Sequence, residues 1–267
     1  MADRCRRSLI VAAVAAVALS LAAGGSAAET QRVDIRAKIS YAKRGIEFGG
    51  IRLEIRRDDT VWRSRSLGSA YIVRPHVYVR DLDLDGEPEV WVDIYSGGAH
   101  CCLDTRFFRW QPSRAAYAST EHAWRDIGYE RKRLDADAQP ELVSADARFS
   151  YMFTAFAGSA FPIQIWHFDH GRVLNVTRGF PAEIDRDADQ LWRAYSRYRG
   201  GRDDPRGVLA AWVADQYLLG HGAESWAMIQ QLAKRGEFGP RADLAGWPQG
   251  GAYLKALRAF LVKLGYA

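Results

Sequence analysis

The sequence predicts an α+β protein, with an antiparallel β-repeat (partial propeller-like) region followed by a helical C-terminal region. Three observations predict it. From Val33 to about Thr177 the chain shows period-two patterning and turn signals. Within that stretch a loop-and-hairpin pattern occurs twice, and beyond Asp185 the apolar residues move to helical spacing. With an N-terminal leader this gives three segments, 1–28, 29–182 and 183–267.

The leader comes first. Arg4, Arg6 and Arg7 precede an uncharged run from Ser8 to Ala23, and Ser26-Ala27-Ala28 supplies small residues for a cleavage site before Glu29. That run is short of the roughly 20 residues a spanning helix needs. The expectation is therefore a signal peptide, a secreted, periplasmic or cell-envelope location, and no transmembrane span after processing. The Arg6-Arg7 pair leaves both the general and the twin-arginine export routes open. Removing residues 1–28 takes away three arginines and one aspartate, so the formal charge falls from +5 to +3. The remaining arginines are interleaved with acids rather than gathered on one stretch, which excludes a nucleic-acid footprint. Nine Trp, twelve Tyr and eleven Phe supply large side chains for a core in the roughly 239 residues that remain.

Val33 to Ile39 alternates apolar and polar residues, as a half-buried strand does, and Leu53 to Trp62 reads as two strands around an Asp58-Asp59 turn. Phe108 to Ala115 can be laid over Trp166 to Val173, each an aromatic strand, a polar turn and an arginine, at a shift of 58 residues. Upstream, Asp81 to Glu89 matches Arg133 to Glu141 at a shift of 52. Repetition at this period points to stacked β units. Two loop-bearing units and one N-terminal hairpin are too few for a closed propeller, so an open array is expected, covered by the C-terminal helices. Those helices are placed by Leu191, Trp192, Tyr195 and Tyr198, by Asp204-Pro205 leading to Tyr217, by Glu224 to Arg235, and by Tyr253 to Leu264 before Gly265.

The stretch with the most chemistry is Asp81-Leu-Asp83-Leu-Asp85-Gly86-Glu87-Pro-Glu89. Alternating carboxylates on a tight turn form an oxygen cage of the kind a hard cation such as Ca²⁺ needs, with six to eight ligands at about 2.3–2.6 Å. Without a cation, three aspartates within five residues repel one another. An EF-hand is excluded, because its twelfth position would be Val92, inside the apparent strand Val90 to Tyr95. The spacing fits a nine-residue loop in which Asp81, Asp83, Asp85 and Glu89 bind through side chains and Glu87 through its carbonyl, with Gly86 allowing the bend. This D-x-D-x-D-G-x-x-[DE] pattern before an apolar strand resembles the calcium loop of FG-GAP/VCBS-type repeats, found in integrin alpha propellers and in exported bacterial proteins. The resemblance implies Ca²⁺ at those five residues. In the second loop Arg133 replaces the first aspartate and Ala138 the glycine, leaving Asp135, Asp137 and Glu141; Arg133 is expected to stand in for the lost ion.

Cys101 and Cys102 are the two cysteines beyond the leader. In an oxidising compartment they are candidates for a vicinal disulfide, an intermolecular bridge or two buried thiols. Two functions follow. One is an exported, non-catalytic, calcium-stabilised binding or scaffold protein of the cell envelope or exterior, with a protein or glycan partner met near Ser96 to Leu103. The other is a thiol- or soft-metal-dependent enzyme or redox protein using His100, Cys101 and Cys102, with Asp93 as a further candidate. The sequence shows no nucleotide loop, zinc-protease helix or serine elbow.

Overall fold

A computed structural model describes residues 33–98, 102–198 and 204–267. The leader, His100 and Cys101 lie outside the described residues. The fold is α+β, with three four-stranded antiparallel sheets in sequence followed by four α-helices. The first sheet contains β1 (Ile35–Arg44), β2 (Glu47–Arg57) and β3 (Thr60–Arg63), with β4 (Ala70–Tyr71) returning to pair with the start of β2. The second runs in chain order through β5 (His76–Arg80), β6 (Glu89–Tyr95), β7 (Leu103–Gln111) and β8 (Ala116–Arg125). The third does the same with β9 (Glu130–Lys132), β10 (Glu141–Ala145), β11 (Ile163–Asp169) and β12 (Arg172–Asn175).

Each sheet buries side chains against the next. Phe48, Ile51, Leu53 and Ile55 of the first sheet pack on Val90, Val92, Ile94 and Phe108 of the second. On the other face, Trp91, Phe107 and Trp124 pack on Leu142 and Phe168 of the third. Successive strand residues point to opposite faces. That is why β6 reads as an unbroken apolar run: Val90 and Val92 face one neighbour sheet while Trp91 faces the other. In β1, by contrast, only alternate residues are shielded, matching its alternating sequence. Among the described residues no core cluster joins the first sheet to the third.

Both acidic loops bridge equivalent strand pairs. Arg80 pairs with Glu89 across β5 and β6, and Lys132 pairs with Glu141 across β9 and β10. The 52-residue sequence repeat is therefore a repeat of place within the sheet.

The helices are α1 (Pro181–Tyr198), α2 (Arg206–Leu218), α3 (Gly222–Lys234) and α4 (Gly251–Leu264). The first begins one turn before the sequence pattern at Asp185 because Pro181 suits the opening turn, where a missing N–H costs nothing. Phe149 and Phe153, from the segment between β10 and β11, join Tyr195, Leu209, Val213, Tyr253, Leu257 and Phe260 in one core. At Gly207 a Cβ would stand 2.2 Å from the Gly158 carbonyl oxygen, so only glycine lets α2 approach that segment. Fully buried Arg206 is paid for by the Asp204 carboxylate at 3.1 Å and by the Phe238 and Gly239 carbonyls at 3.0 and 2.9 Å. No helix among the described residues is long and apolar enough to cross a membrane.

Candidate metal centre

The loop between β5 and β6 turns sharply, with Leu84 at φ +59° and Gly86 at φ +88°. Gly86 has open space around a hypothetical Cβ, so its requirement is conformational rather than steric. The turn folds the carboxylates inward. Asp81 accepts a hydrogen bond from the Gly86 N–H at 2.9 Å, Asp85 from the Glu87 N–H at 2.9 Å, and Glu89 from the Leu82 N–H at 2.9 Å. Glu89 is fully buried and the Asp83 side chain is 2 % exposed.

Asp81, Asp83 and Glu89 each bring one carboxylate oxygen within 4.8 Å of the other two. Asp81 Oδ1, Asp83 Oδ1 and Glu89 Oε1 are all shielded from solvent and have no hydrogen-bond partner. A buried carboxylate oxygen without a donor is costly, and a hard cation satisfies several at once. Burial and the charges of Asp83 and Asp85 raise the Glu89 carboxyl to about 8, against the pull of the Leu82 N–H and Arg109. The donor set therefore fits a dication bound by oxygen.

Asp85 has a different role. It forms an ion pair with Arg109 of β7, whose Nε lies 3.5 Å from Glu89 and 3.8 Å from Asp83. Burial pushes the Asp85 carboxyl up, but the Glu87 N–H and the Arg109 guanidinium outweigh it and hold the group below its usual range. Asp85 also groups with Asp83 and His170. The Glu87 carboxylate is gripped at both oxygens by Arg57, at the end of β2, which leaves its carbonyl as the group to offer a cation. His170, in the β11–β12 turn, donates its backbone N–H to Asp83 at 2.8 Å. Its ring pairs with Asp169, and with Asp83 nearby this raises its pKa. One loop is thus held by residues of all three sheets. Arg57, Arg109 and His170 carry no motif; the 58-residue hairpin repeat spans Arg109 and His170 without marking either as a contact of the loop.

In the second loop, Asp135, Asp137 and Glu141 also converge within 4.8 Å, but the two aspartates are exposed and cap their own turn. Arg133 is exposed and forms no salt bridge among the described residues, which corrects its expected role as a substitute for the ion. The group facing buried Glu141 is the ring of His167, Nε2 to Oε1 3.1 Å, because β11 lies beside β10.

Cys102 is disulfide-bonded and sits at φ +120°, so its sulfur offers no thiolate. Asp93 accepts hydrogen bonds from Thr105 at 2.5 Å and from the Tyr129 hydroxyl at 3.1 Å, a fully engaged structural carboxylate with its pKa raised chiefly by burial. His100 and Cys101, its expected partners, lie outside the described residues.

The model for the sll0997 C-terminal domain family matches residues 184–265, from within α1 to the end of α4. A probable thylakoid lumen protein, sll0997 of Synechocystis sp., is 29% identical over 201 residues, which is 70% of this chain and 59% of that protein. The uncharacterized protein y4bJ of Sinorhizobium fredii is 27% identical over 155 residues, 54% of this chain and 23% of its own length. The chain therefore spans less than two thirds of either relative. No solved structure matches it.

Proposed function

We propose that this is an exported, non-catalytic binding or scaffold protein of the cell envelope or exterior, in which Ca²⁺ at residues 81–89 stabilises the β region. The observation that carries this reading is the trio of buried oxygens without a hydrogen bond on Asp81, Asp83 and Glu89. Asp85 and the Glu87 carbonyl bring the set to five protein oxygens, and water would supply the rest of the six to eight that Ca²⁺ takes. The FG-GAP/VCBS-type loop pattern supports the same ion, and three consecutive four-stranded sheets suit an open, propeller-like array.

The ion's role is mechanical. Arg57 from the first sheet, Arg109 from the second and His170 from the third all reach the loop, so neutralising its core braces the junction they share. Export is supported by the leader pattern and by similarity to a protein whose name places it in the thylakoid lumen. A protein or glycan partner suits a chain with no assembled catalytic group among its described residues.

The test is direct. Protein purified from the full-length gene is assayed for bound metal, then melted with excess calcium and with a chelator. One calcium per chain and a reversible fall in melting temperature on chelation are expected; no bound calcium and superimposable melting curves would sink the reading.

A further inference from the structure

Two connections of the first sheet form a single apolar tip. The β1–β2 turn carries Ile46, and the segment after β4 carries Ile72 and Val73. The Ile72 N–H donates to the Ile46 carbonyl at 2.7 Å, which ties the two connections together. Ile46 is 65% exposed, Ile72 67% and Val73 48%. A single exposed aliphatic residue is ordinary, but three on two tied segments form a patch.

The tip is held at a cost. Ile72 has φ +62°, a region that a β-branched side chain all but avoids. Glycine or asparagine would sit there without that strain, so stability alone does not explain isoleucine. Beneath it, Tyr71 packs on Gly97, where a Cβ would come within 2.9 Å of the tyrosine Cβ. Around the aliphatic residues stand Lys43, Arg44 and Arg74, all exposed and none in a salt bridge among the described residues. The acid in the same turn is Glu47, opposite Arg44 in the β1–β2 register.

We propose that this tip docks on an anionic lipid bilayer, with Ile46, Ile72 and Val73 entering the interface and Lys43, Arg44 and Arg74 meeting the headgroups. The charge pattern identifies the occupant. A protruding aliphatic end with a cationic rim complements a surface that is negative at the headgroups and apolar just beneath. The half-exposed Tyr71 sits at the base of the tip, at the level where amphipathic rings favour the headgroup region. A protein partner would instead favour aromatic anchors in a desolvated pocket.

The experiment uses protein from the full-length gene and sedimentation with two vesicle types, equal parts phosphatidylglycerol and phosphatidylcholine, or phosphatidylcholine alone. Binding is expected to the first type, weakening with salt and falling about fivefold for each of Lys43→Gln, Arg44→Gln and Arg74→Gln. Ile72→Gly should weaken binding by at least about tenfold while leaving the melting temperature unchanged or higher, because it removes apolar contact and backbone strain together. This opposition separates lost docking from lost fold. The proposal is overturned by wild-type protein that ignores both vesicles or binds them equally. Undiminished binding by Ile72→Gly overturns it too, as does a concentration-dependent dimer that this variant abolishes without any vesicle binding.

Discussion

Loops 81–89 and 133–141 occupy the same place in consecutive sheets, yet they neutralise their carboxylates differently. Each ends on a fully buried glutamate that accepts the N–H seven residues earlier, Leu82 to Glu89 at 2.9 Å and Leu134 to Glu141 at 2.7 Å. Each glutamate faces a basic side chain from the next strand, Arg109 in one sheet and His167 in the other. The difference lies in what covers the aspartates. Asp83 is shielded by the β11–β12 turn of the following sheet, whereas among the described residues no fourth sheet follows to shield Asp135 and Asp137. The backbone differs as well: Leu84 and Gly86 adopt the left-handed region, and no residue of 133–141 does. Similar acidic motifs thus differ in how far their aspartates are withdrawn from water, because burial by a neighbouring unit, rather than the motif, makes unneutralised charge expensive.

A third acidic pair extends the comparison. Asp187 of α1 and Asp215 of α2 meet carboxyl to carboxyl in the helical region, with no cation beside them among the described residues. Burial raises both, and the charge of Asp187 raises Asp215 further. The shift here comes first from burial in both groups, whereas the loop glutamates face Arg109 and His167.

The largest expected effect comes from removing the first loop's cation. Arg109→Gln should lower unfolding stability in chelator by about 3 kcal/mol, since it strands buried carboxylates, and excess calcium should restore most of the loss. Equal loss with and without calcium would show that Arg109, rather than an ion, is the sole neutraliser. Next, calcium at about a hundred times its dissociation constant should stabilise the unsubstituted protein by about 2.7 kcal/mol. Asp135→Asn should leave that gain intact and Asp83→Asn should abolish it, as read by melting curves. Two calcium ions per chain would erase the distinction between the loops.

The buried aspartate pair gives a pH test. Its folded pKa values lie above the roughly 3.9 of an unfolded aspartate. Its contribution is complete below about pH 4 and is lost as pH rises through the raised folded values. Denaturant titrations from pH 5 upward should show stability falling by at most about 1.4 kcal/mol per pH unit for each of the two carboxyls, and Asp215→Asn should flatten the decline. The smallest effect is expected at His170, which is exposed: His170→Asn, tolerated at φ +46°, should shift stability by less than about 1 kcal/mol. A larger loss would mean that the third sheet's turn holds the first loop more firmly than its exposed ring implies.

Much of the fold was legible because local pattern and final burial agree. The Asp58-Asp59 turn, the alternation in β1 and the helical stripe from Leu191 to Tyr198 each report one face in contact with one partner. Arg133 was misread for the opposite reason. It replaces an aspartate in the aligned loop, but a side chain's direction depends on the strand pairing, and the sheet places His167 beside Glu141 instead. Arg57 and His170 were illegible, lying 30 and 87 residues from the carboxylates they meet.

By itself the sequence determined the order of strands and helices, the two acidic loops and the candidate ligands, since each is written in the spacing of neighbouring residues. Only the tertiary structure decided which loop has a buried core of oxygens without a hydrogen bond, which cations reach it and which apolar residues remain uncovered at the tip. Those outcomes depend on desolvation by units distant in the chain, and desolvation has no local pattern to read.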